Sequence, residues 1–316
     1  MITLSLREGI SLLVFLLLLL FLYGVEALLL VDYVWGRICK RPGQSELFSR
    51  RYLVLHAAAA VGVGCWLYGH FIEPNWVDVH KVTLHTPKLK AAGFRLVQIS
   101  DLHCDGRIRN EEKMVRIIND LKPDIIVATG DYLNRTSGLP HLRDGFSRLE
   151  APLGKFAVMG NQDGAWPRLP DLLDGTGFRW LNQETVTVAK GPDSLGISGI
   201  NFVRFNVPIG SIKALPTDRF NVFLYHTPDL IEEVCGPGVD LYLCGHTHGG
   251  QVTLPWYGAL ITFSKFGKKY ESGLYRVGQT TLYVNRGLGL EPRPGPQVRF
   301  LARPEIAVFD IVPEQP

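Results

Sequence analysis

The stretch "VDLYLCGHTHGGQ", residues 239–251, is a short apolar run that breaks at a glycine and delivers His246 and His248 from one tight turn. Apolar runs of this length, bounded by Pro or Gly, are expected of strands buried on both faces. Gly245 allows the backbone a close approach at the turn. One histidine in such a place would be an ordinary satisfied core residue, but the pattern recurs along the chain. "FRLVQIS" (94–100) runs into "DLH", giving Asp101 and His103. "PDIIVATG" (123–130) ends at Asp131, "GKFAVMG" (154–160) at Asn161, and "FNVFLYH" (220–226) at His226. Helical patterns at 109–121 and 228–235 lie between some of these runs, which reads as an α/β domain. Ligand-type residues therefore recur at the carboxyl ends of buried strands, where open α/β sheets form their binding crevices.

Two Asp, one Asn and four His in this register suit two divalent metals a few Å apart, with one carboxylate bridging. The mixed shell favours Mn, with Fe or Zn as alternatives, over an all-oxygen Ca or Mg site. Thiolate zinc is disfavoured, because the five cysteines (Cys39, Cys65, Cys104, Cys235 and Cys244) form neither a CxxC pair nor a cluster. Cys104, although next to His103, reads as a small buried side chain. Two such metals activate water and clamp phosphoryl oxygens, so the expected reaction is in-line displacement at phosphorus by metal-activated hydroxide. The chain has neither HExxH nor HxE…PCxxC, which speaks against a zinc protease or a deaminase. It also has neither GxGxxG nor GxxxxGK[ST], so it does not read as a dinucleotide-binding or P-loop protein.

The composition of the 316 residues, 46% hydrophobic and 20% charged, is that of a foldable globular chain. A formal net charge of +3 without any Lys/Arg stripe excludes nucleic acid as an expected partner. Residues 9–35 and 52–72 are each long and apolar enough to cross a bilayer. The first lacks a small-residue cleavage site, so a membrane hairpin is expected rather than a signal peptide. Glu26 is expected to face the second helix or the interface, and the small residues Ala57 to Ala60, Gly62 and Gly64 suit close helix packing. The expected organisation is an anchor at 1–73, a connector at 74–93 and a catalytic domain at 94–316. The intervening loop carries Arg37, Lys40, Arg41, Arg50 and Arg51. Basic loops stay cytoplasmic, which predicts a multi-pass inner-membrane protein with its amino terminus and large domain facing outward.

The motifs "DLH", "GDYLNR", "GNQD", the His of "YHTPDL" and "GHTHGGQ" occur in the order of the calcineurin-like metallophosphoesterases, which this chain resembles over roughly residues 94–312. The tail "LYVNRGLGLEPRPGPQVRFLARPEI" resembles the membrane-associated bacterial branch of that superfamily. The resemblance implies a four-layer α-β-β-α sandwich, two β-sheets flanked by helices. It implies that Asp101, His103 and His248 hold one metal, that Asn161, His226 and His246 hold the other, and that Asp131 bridges. Asn134 and Arg135 match positions near the site in relatives, where Arg135 either stabilises phosphate or pairs with a carboxylate.

One position departs from the family. Where relatives read GNH followed by an acidic residue, this chain has Gln162 followed by Asp163, and Gln162, Asp163 and Arg135 are the expected catalytic residues. The replaced histidine is taken to face the phosphate and assist the leaving group. An amide donates hydrogen bonds but delivers no proton near neutral pH, so general-acid help worth on the order of a hundredfold is lost. The expected substrates are diesters or pyrophosphates rather than alkyl monoesters. The segment "TLPWYGALITFSKFGKKY" (253–270) interleaves Trp256, Tyr257, Phe263 and Phe266 with Lys265, Lys268 and Lys269. It reads either as a contact for lipid and an anionic head group or as ordinary aromatic packing. Membrane tethering points to the bilayer as a partner and to a lipid-linked or envelope substrate. The resemblance includes UDP-2,3-diacylglucosamine pyrophosphohydrolases of lipid A synthesis, a role that needs a cytoplasmic domain. A non-catalytic metal-binding membrane adaptor is the competing class.

Overall fold

A run of leucines without proline, opened by a capping box between Ser5 and Glu8, forms the helix α1, Leu6–Ile38. Its 33 residues reach about 50 Å at a rise of about 1.5 Å each. That exceeds the roughly 30 Å of a bilayer's hydrocarbon layer. α2, Leu53–Leu67, continues through a π-helical turn at Tyr68–Ile72. Both stretches are long and apolar enough to cross a membrane. They pack against each other: the Tyr23 hydroxyl donates to the Ala59 carbonyl at 3.1 Å, and a Cβ on Gly62 would run into that hydroxyl. Glu26 faces the second helix, with its carboxylate 2.8 Å from His56 Nδ1. The structure, a computed structural model, describes residues 4–40, 47, 49–165, 169–203, 206–292 and 295–314, so Arg41 of the basic loop lies outside the described residues.

The strands are β1 (Asp78–Thr86), β2 (Phe94–Ile99), β3 (Ile125–Ala128), β4 (Lys155–Ala157), β5 (Phe178–Trp180), β6 (Glu184–Lys190) and β7 (Asp193–Gly199). They continue with β8 (Phe220–Leu224), β9 (Leu241–Cys244), β10 (Thr253–Leu254), β11 (Gly258–Ala259), β12 (Gly273–Val277), β13 (Thr280–Val284) and β14 (Glu305–Pro313). One six-stranded sheet runs β1-β14-β2-β3-β4-β5 and the other β12-β13-β9-β8-β7-β6, while β10 and β11 form a small hairpin. β2 to β5 are mutually parallel, as are β7, β8, β9 and β13. All the ligand-bearing strands therefore end on the same side of their sheets.

Side chains alternate across each strand, and this period sorts the core into layers. Leu96, Ile125 and Val127 of the first sheet meet Ile197, Val222, Leu224, Leu241 and Leu243 of the second. The alternate residues Val97, Ile99, Ile126 and Ala128 pack under α3 (Glu111–Leu121) and α4 (Leu139–Ser147) through Met114, Ile118, Leu142 and Phe146. On the far face of the second sheet, Phe223, Tyr242 and Leu282 cover Ile212 of α5 (Gly210–Lys213) and Ile231 and Val234 of α6 (Ile231–Val234). The result is the expected α-β-β-α sandwich preceded by the apolar helices.

The expected connector at 74–93 needs correction, because β1 lies inside it and pairs in parallel with β14 from Asp78↔Glu305 to Thr86↔Pro313. "DVHKVTLHT" carries charge and histidine on its outward face, so it has no buried-strand signature of its own. It becomes a strand because a partner from the far end of the chain supplies the ladder.

Leu96 is fully buried between the sheets, so Leu96→Ala should destabilise the chain by about 2–5 kcal/mol. The half-exposed Leu274→Ala should change it by about 0.5 kcal/mol or less. Urea unfolding of the two variants side by side in detergent measures the contrast.

Candidate metal centre

Each ligand-type residue follows directly on a parallel strand, and the chain must turn at once to aim it into the crevice. Five of them adopt left-handed backbone: Asp101 (φ 49°), His103 (φ 48°), Asp131 (φ 57°), His246 (φ 74°) and His248 (φ 52°). Non-glycine residues in this region cost about 1–3 kcal/mol each and persist only where their surroundings over-determine them. Two glycines make room for the turns. A Cβ on Gly160 would strike the Asp131 carboxylate, and one on Gly245 the Asp101 carboxylate.

Six of the seven residues form two adjoining groups, Asp101, His103 and His248 in one and Asp131, His226 and His246 in the other, all buried, and half-buried Asn161 borders the second. In the first, His103 Nε2 and His248 Nε2 stand 3.1 Å apart, with Asp101 Oδ1 3.4 Å from His248 Nε2. In the second, His226 Nε2 lies 3.2 Å from His246 Nδ1 and 2.9 Å from Asn161 Oδ1. Asp131 Oδ2 reaches both, at 3.3 Å from His226 Nε2 and 3.9 Å from His103 Nε2. Two imidazole nitrogens this close, buried together, must share either a proton or a cation between them. Ligands about 2.0–2.2 Å from a common ion stand about 3 Å apart, so the donor set fits two divalent cations with Asp131 between them.

The outer nitrogens support this assignment. His103 Nδ1 meets Asn134 Oδ1 at 2.7 Å, and His226 Nδ1 meets the Thr129 carbonyl at 2.7 Å. His246 Nε2 faces the Phe263 carbonyl at 3.3 Å. An acceptor behind each ring holds its proton on the outer nitrogen and leaves the inner lone pair free to ligate. His248 is held differently, with Arg299 Nη2 lying 3.1 Å from its Nδ1.

Electrostatics also favour positive charge in the pocket. Burial opposes the Asp101 carboxylate, but His248, His226 and His103 outweigh it and hold its pKa well below the usual range. Asp131 is lowered likewise, against burial, by His226 and His103. Burial would lower His226, yet Asp131 and Asp101 push it up to about 10. His246 is lowered by burial and by the neighbouring His226.

The remaining expected residues take different places. Gln162 is half-buried beside the site, its backbone N–H donating to Asp131 Oδ1 at 2.8 Å. Asp163 needs correction as a catalytic candidate. It is fully buried, and its carboxylate accepts backbone N–H groups from Gly160 (2.7 Å), Asp131 (2.8 Å) and Tyr132 (3.0 Å). It is a positioning residue that ties the turn after β3 to the turn after β4. Burial and the Asp131 charge push its pKa up to about 7, against those three bonds. Arg135 is exposed and has no side-chain hydrogen bond or ion pair among the described residues, so the carboxylate-pairing alternative finds no partner there. In the 253–270 segment, Lys265, Lys268 and Lys269 are paired with Glu233, Glu271 and Glu232, while Trp256 is fully exposed.

Sequence reasoning missed several supporting residues. Ser100 donates to Asp101 Oδ2 at 2.5 Å and accepts from Thr129 Oγ1 at 2.7 Å. Glu291 places Oε1 3.4 Å from His248 Nε2. Arg299 is fully buried, its guanidinium also bonded to the carbonyls of Gly287, Gly289 and Ala302. A serine before the aspartate and an arginine within the tail motif were the only local signals for two of them, and neither pattern carries a role by itself.

The sequence model described as calcineurin-like phosphoesterase matches residues 94–250. An uncharacterized metallophosphoesterase of Bacillus subtilis, YkuE, is 33% identical over 86% of this chain and 98% of its own length. The UDP-2,3-diacylglucosamine pyrophosphatase LpxG of Chlamydia muridarum is 28% identical, over 81% of this chain and 95% of its own. The phosphodiesterase YaeI of Escherichia coli is 28% identical, over 83% of this chain and 98% of its own.

Asp163→Asn swaps an accepting oxygen for an N–H group that faces backbone donors. It should cost about 1–3 kcal/mol and weaken Mn retention on dialysis, both read against wild type. An unchanged melting temperature together with unchanged Mn content would remove the positioning role.

Proposed function

This chain belongs to the calcineurin-like phosphoesterase family and is a hydrolase acting on phosphoester bonds, and from that premise we propose a membrane-anchored enzyme that cleaves phosphodiester or pyrophosphate bonds in a lipid-linked or envelope substrate. The observation that carries the reading is the amide at Gln162, on the rim of a site whose seven ligand-type residues are all present. Asp101, His103 and His248 would hold one divalent cation and Asn161, His226 and His246 the other, with Asp131 shared. Mn is the proposed metal, with Fe or Zn as alternatives. What such a pair supplies is Lewis acidity: a more acidic water and neutralised phosphoryl charge.

The chain's own residues set the rest. Gln162 can donate a hydrogen bond to a phosphoryl oxygen and so orient the substrate, but it cannot protonate a departing alkoxide. Leaving groups that depart as stable anions, a phosphate from a pyrophosphate or an activated alcohol from a diester, need no such proton. Arg135, exposed and unpaired among the described residues, is available to contact the substrate's phosphate. The apolar helices support residence at a bilayer, and the basic loop at 36–52 supports an outward-facing domain.

A second reading, hydrolysis of a nucleotide-lipid pyrophosphate, is favoured by the likeness to the Chlamydia muridarum pyrophosphatase along nearly its whole length. It requires the domain to face the cytoplasm. A topology reporter fused to the carboxyl terminus decides between them, since an outward signal excludes the nucleotide-lipid role.

With the full chain in detergent and Mn present, bis-p-nitrophenyl phosphate should be hydrolysed, and Asp131→Asn should abolish turnover. Lack of turnover in Mn-loaded wild type would instead favour the adaptor class. Gln162→His should raise the rate on alkyl monoesters by about tenfold to a hundredfold while changing activated diesters little. No gain on poor leaving groups would sink the account of position 162.

A further inference from the structure

Both apolar helices end on loops that hold the metal-site histidines. α1 is longer than a bilayer requires, and its first turn lies against the domain. Glu8 is 3% exposed there, although it stands near the start of an otherwise lipid-type helix. Its Oε1 accepts from Thr262 N at 2.7 Å and from Thr262 Oγ1 at 2.8 Å. The next residue, Phe263, has left-handed backbone (φ 55°), and its carbonyl is the acceptor behind His246.

The exit from α2 repeats the arrangement on the other group. Glu73, fully buried just beyond the π-helical turn, accepts from Leu301 N at 2.9 Å and Ala302 N at 2.5 Å. Leu301 too is left-handed, at φ 53°. The Gly69 carbonyl accepts from Arg299 N at 2.8 Å, and a side chain at Gly69 would strike the Arg299 backbone. Arg299 then lies behind His248. Each helix thus contributes one buried carboxylate, each carboxylate holds a strained backbone turn, and each turn holds one of the two histidines of the 246–248 turn.

We infer that the membrane hairpin is a working part of the metal centre, with Glu8 and Glu73 as positioning residues for His246 and His248 respectively. This rests on the two-cation reading above and adds to it a coupling between the membrane segment and each cation group. The physical reason is that a left-handed residue needs outside support to persist; the Phe263 carbonyl also holds the outer N–H of His246, whereas the donor-only Arg299 guanidinium fixes the place of the His248 ring and not its proton. Removing either carboxylate releases one turn, and through it one histidine, while the two sheets and the other six ligand-type residues keep their own supports.

The test uses the full chain in detergent, stripped of metal and reloaded with Mn. Mn per chain is counted, and electron paramagnetic resonance distinguishes a spin-coupled pair from isolated ions. Wild type should hold two Mn as a coupled pair. Glu8→Ala and Glu73→Ala should each lose one ion, with affinity at that position lowered about 10–100-fold and the coupled signal replaced by that of a single ion. Glu8→Gln keeps one oxygen for both Thr262 donors and should recover most of the second ion, whereas Glu73→Gln turns an N–H toward a backbone donor and should recover little; an unchanged circular dichroism spectrum in all four variants separates the effect from misfolding. Leu20→Ala, on the exposed face of α1, should leave both ions in place. Two tightly bound Mn in both alanine variants, or equal loss in Leu20→Ala, would overturn the coupling alone. No Mn uptake by wild type would overturn the two-cation reading itself.

Discussion

Asp131 has to face two sets of imidazoles at once from inside a dry cleft. Its Oδ2 lies within 4 Å of a histidine nitrogen in each group, while its Oδ1 accepts the backbone N–H of Gln162. Its own N–H is taken up by Asp163. A buried carboxylate is tolerated only when its surroundings supply compensating charge and hydrogen bonds. Here every neighbouring turn is shaped around that need. Gly160 is required because any side chain there would displace the carboxylate. Asp163 is required because it locks the two strand ends that present Asp131 and Asn161.

The backbone bears the cost of this convergence. Five ligand-type residues sit in left-handed conformations that their side chains disfavour. Parallel strands deliver side chains in a fixed direction, so pointing several of them inward from consecutive strand ends requires abrupt turns. The inter-sheet core, built from fully buried Leu, Val, Ile and Phe side chains, supplies the rigidity against which those turns are held. Strain concentrated where the fold is stiffest makes a preorganised site, and it also explains why supports arrive from distant segments such as Arg299.

Much of this was legible in the one-dimensional chain. Apolar runs ending in Asp, His or Asn marked the strands and the site together, because a strand buried on both faces has an unmistakable composition and its carboxyl end is where a crevice forms. The two long apolar helices were equally plain. What misled was local pattern without local signal. The half-polar sequence of β1 reads as a connector because it becomes a strand only beside β14. The place of Asp163 in "GNQD" suggests catalysis, whereas its oxygens accept backbone N–H groups.

The sequence by itself determined the α/β class and marked the seven ligand-type residues as candidates, since these depend on residue type and on spacing within a few residues, and the family resemblance singled out position 162. Only the tertiary structure decided which atoms face each other. It put Asp131 between the groups, set Asn134, Thr129 and Phe263 behind the rings, and brought Glu8 and Glu73 to the loops that carry them. Those relations join residues tens to hundreds of positions apart. They arise from sheet pairing and helix docking, and no local preference of the chain encodes them.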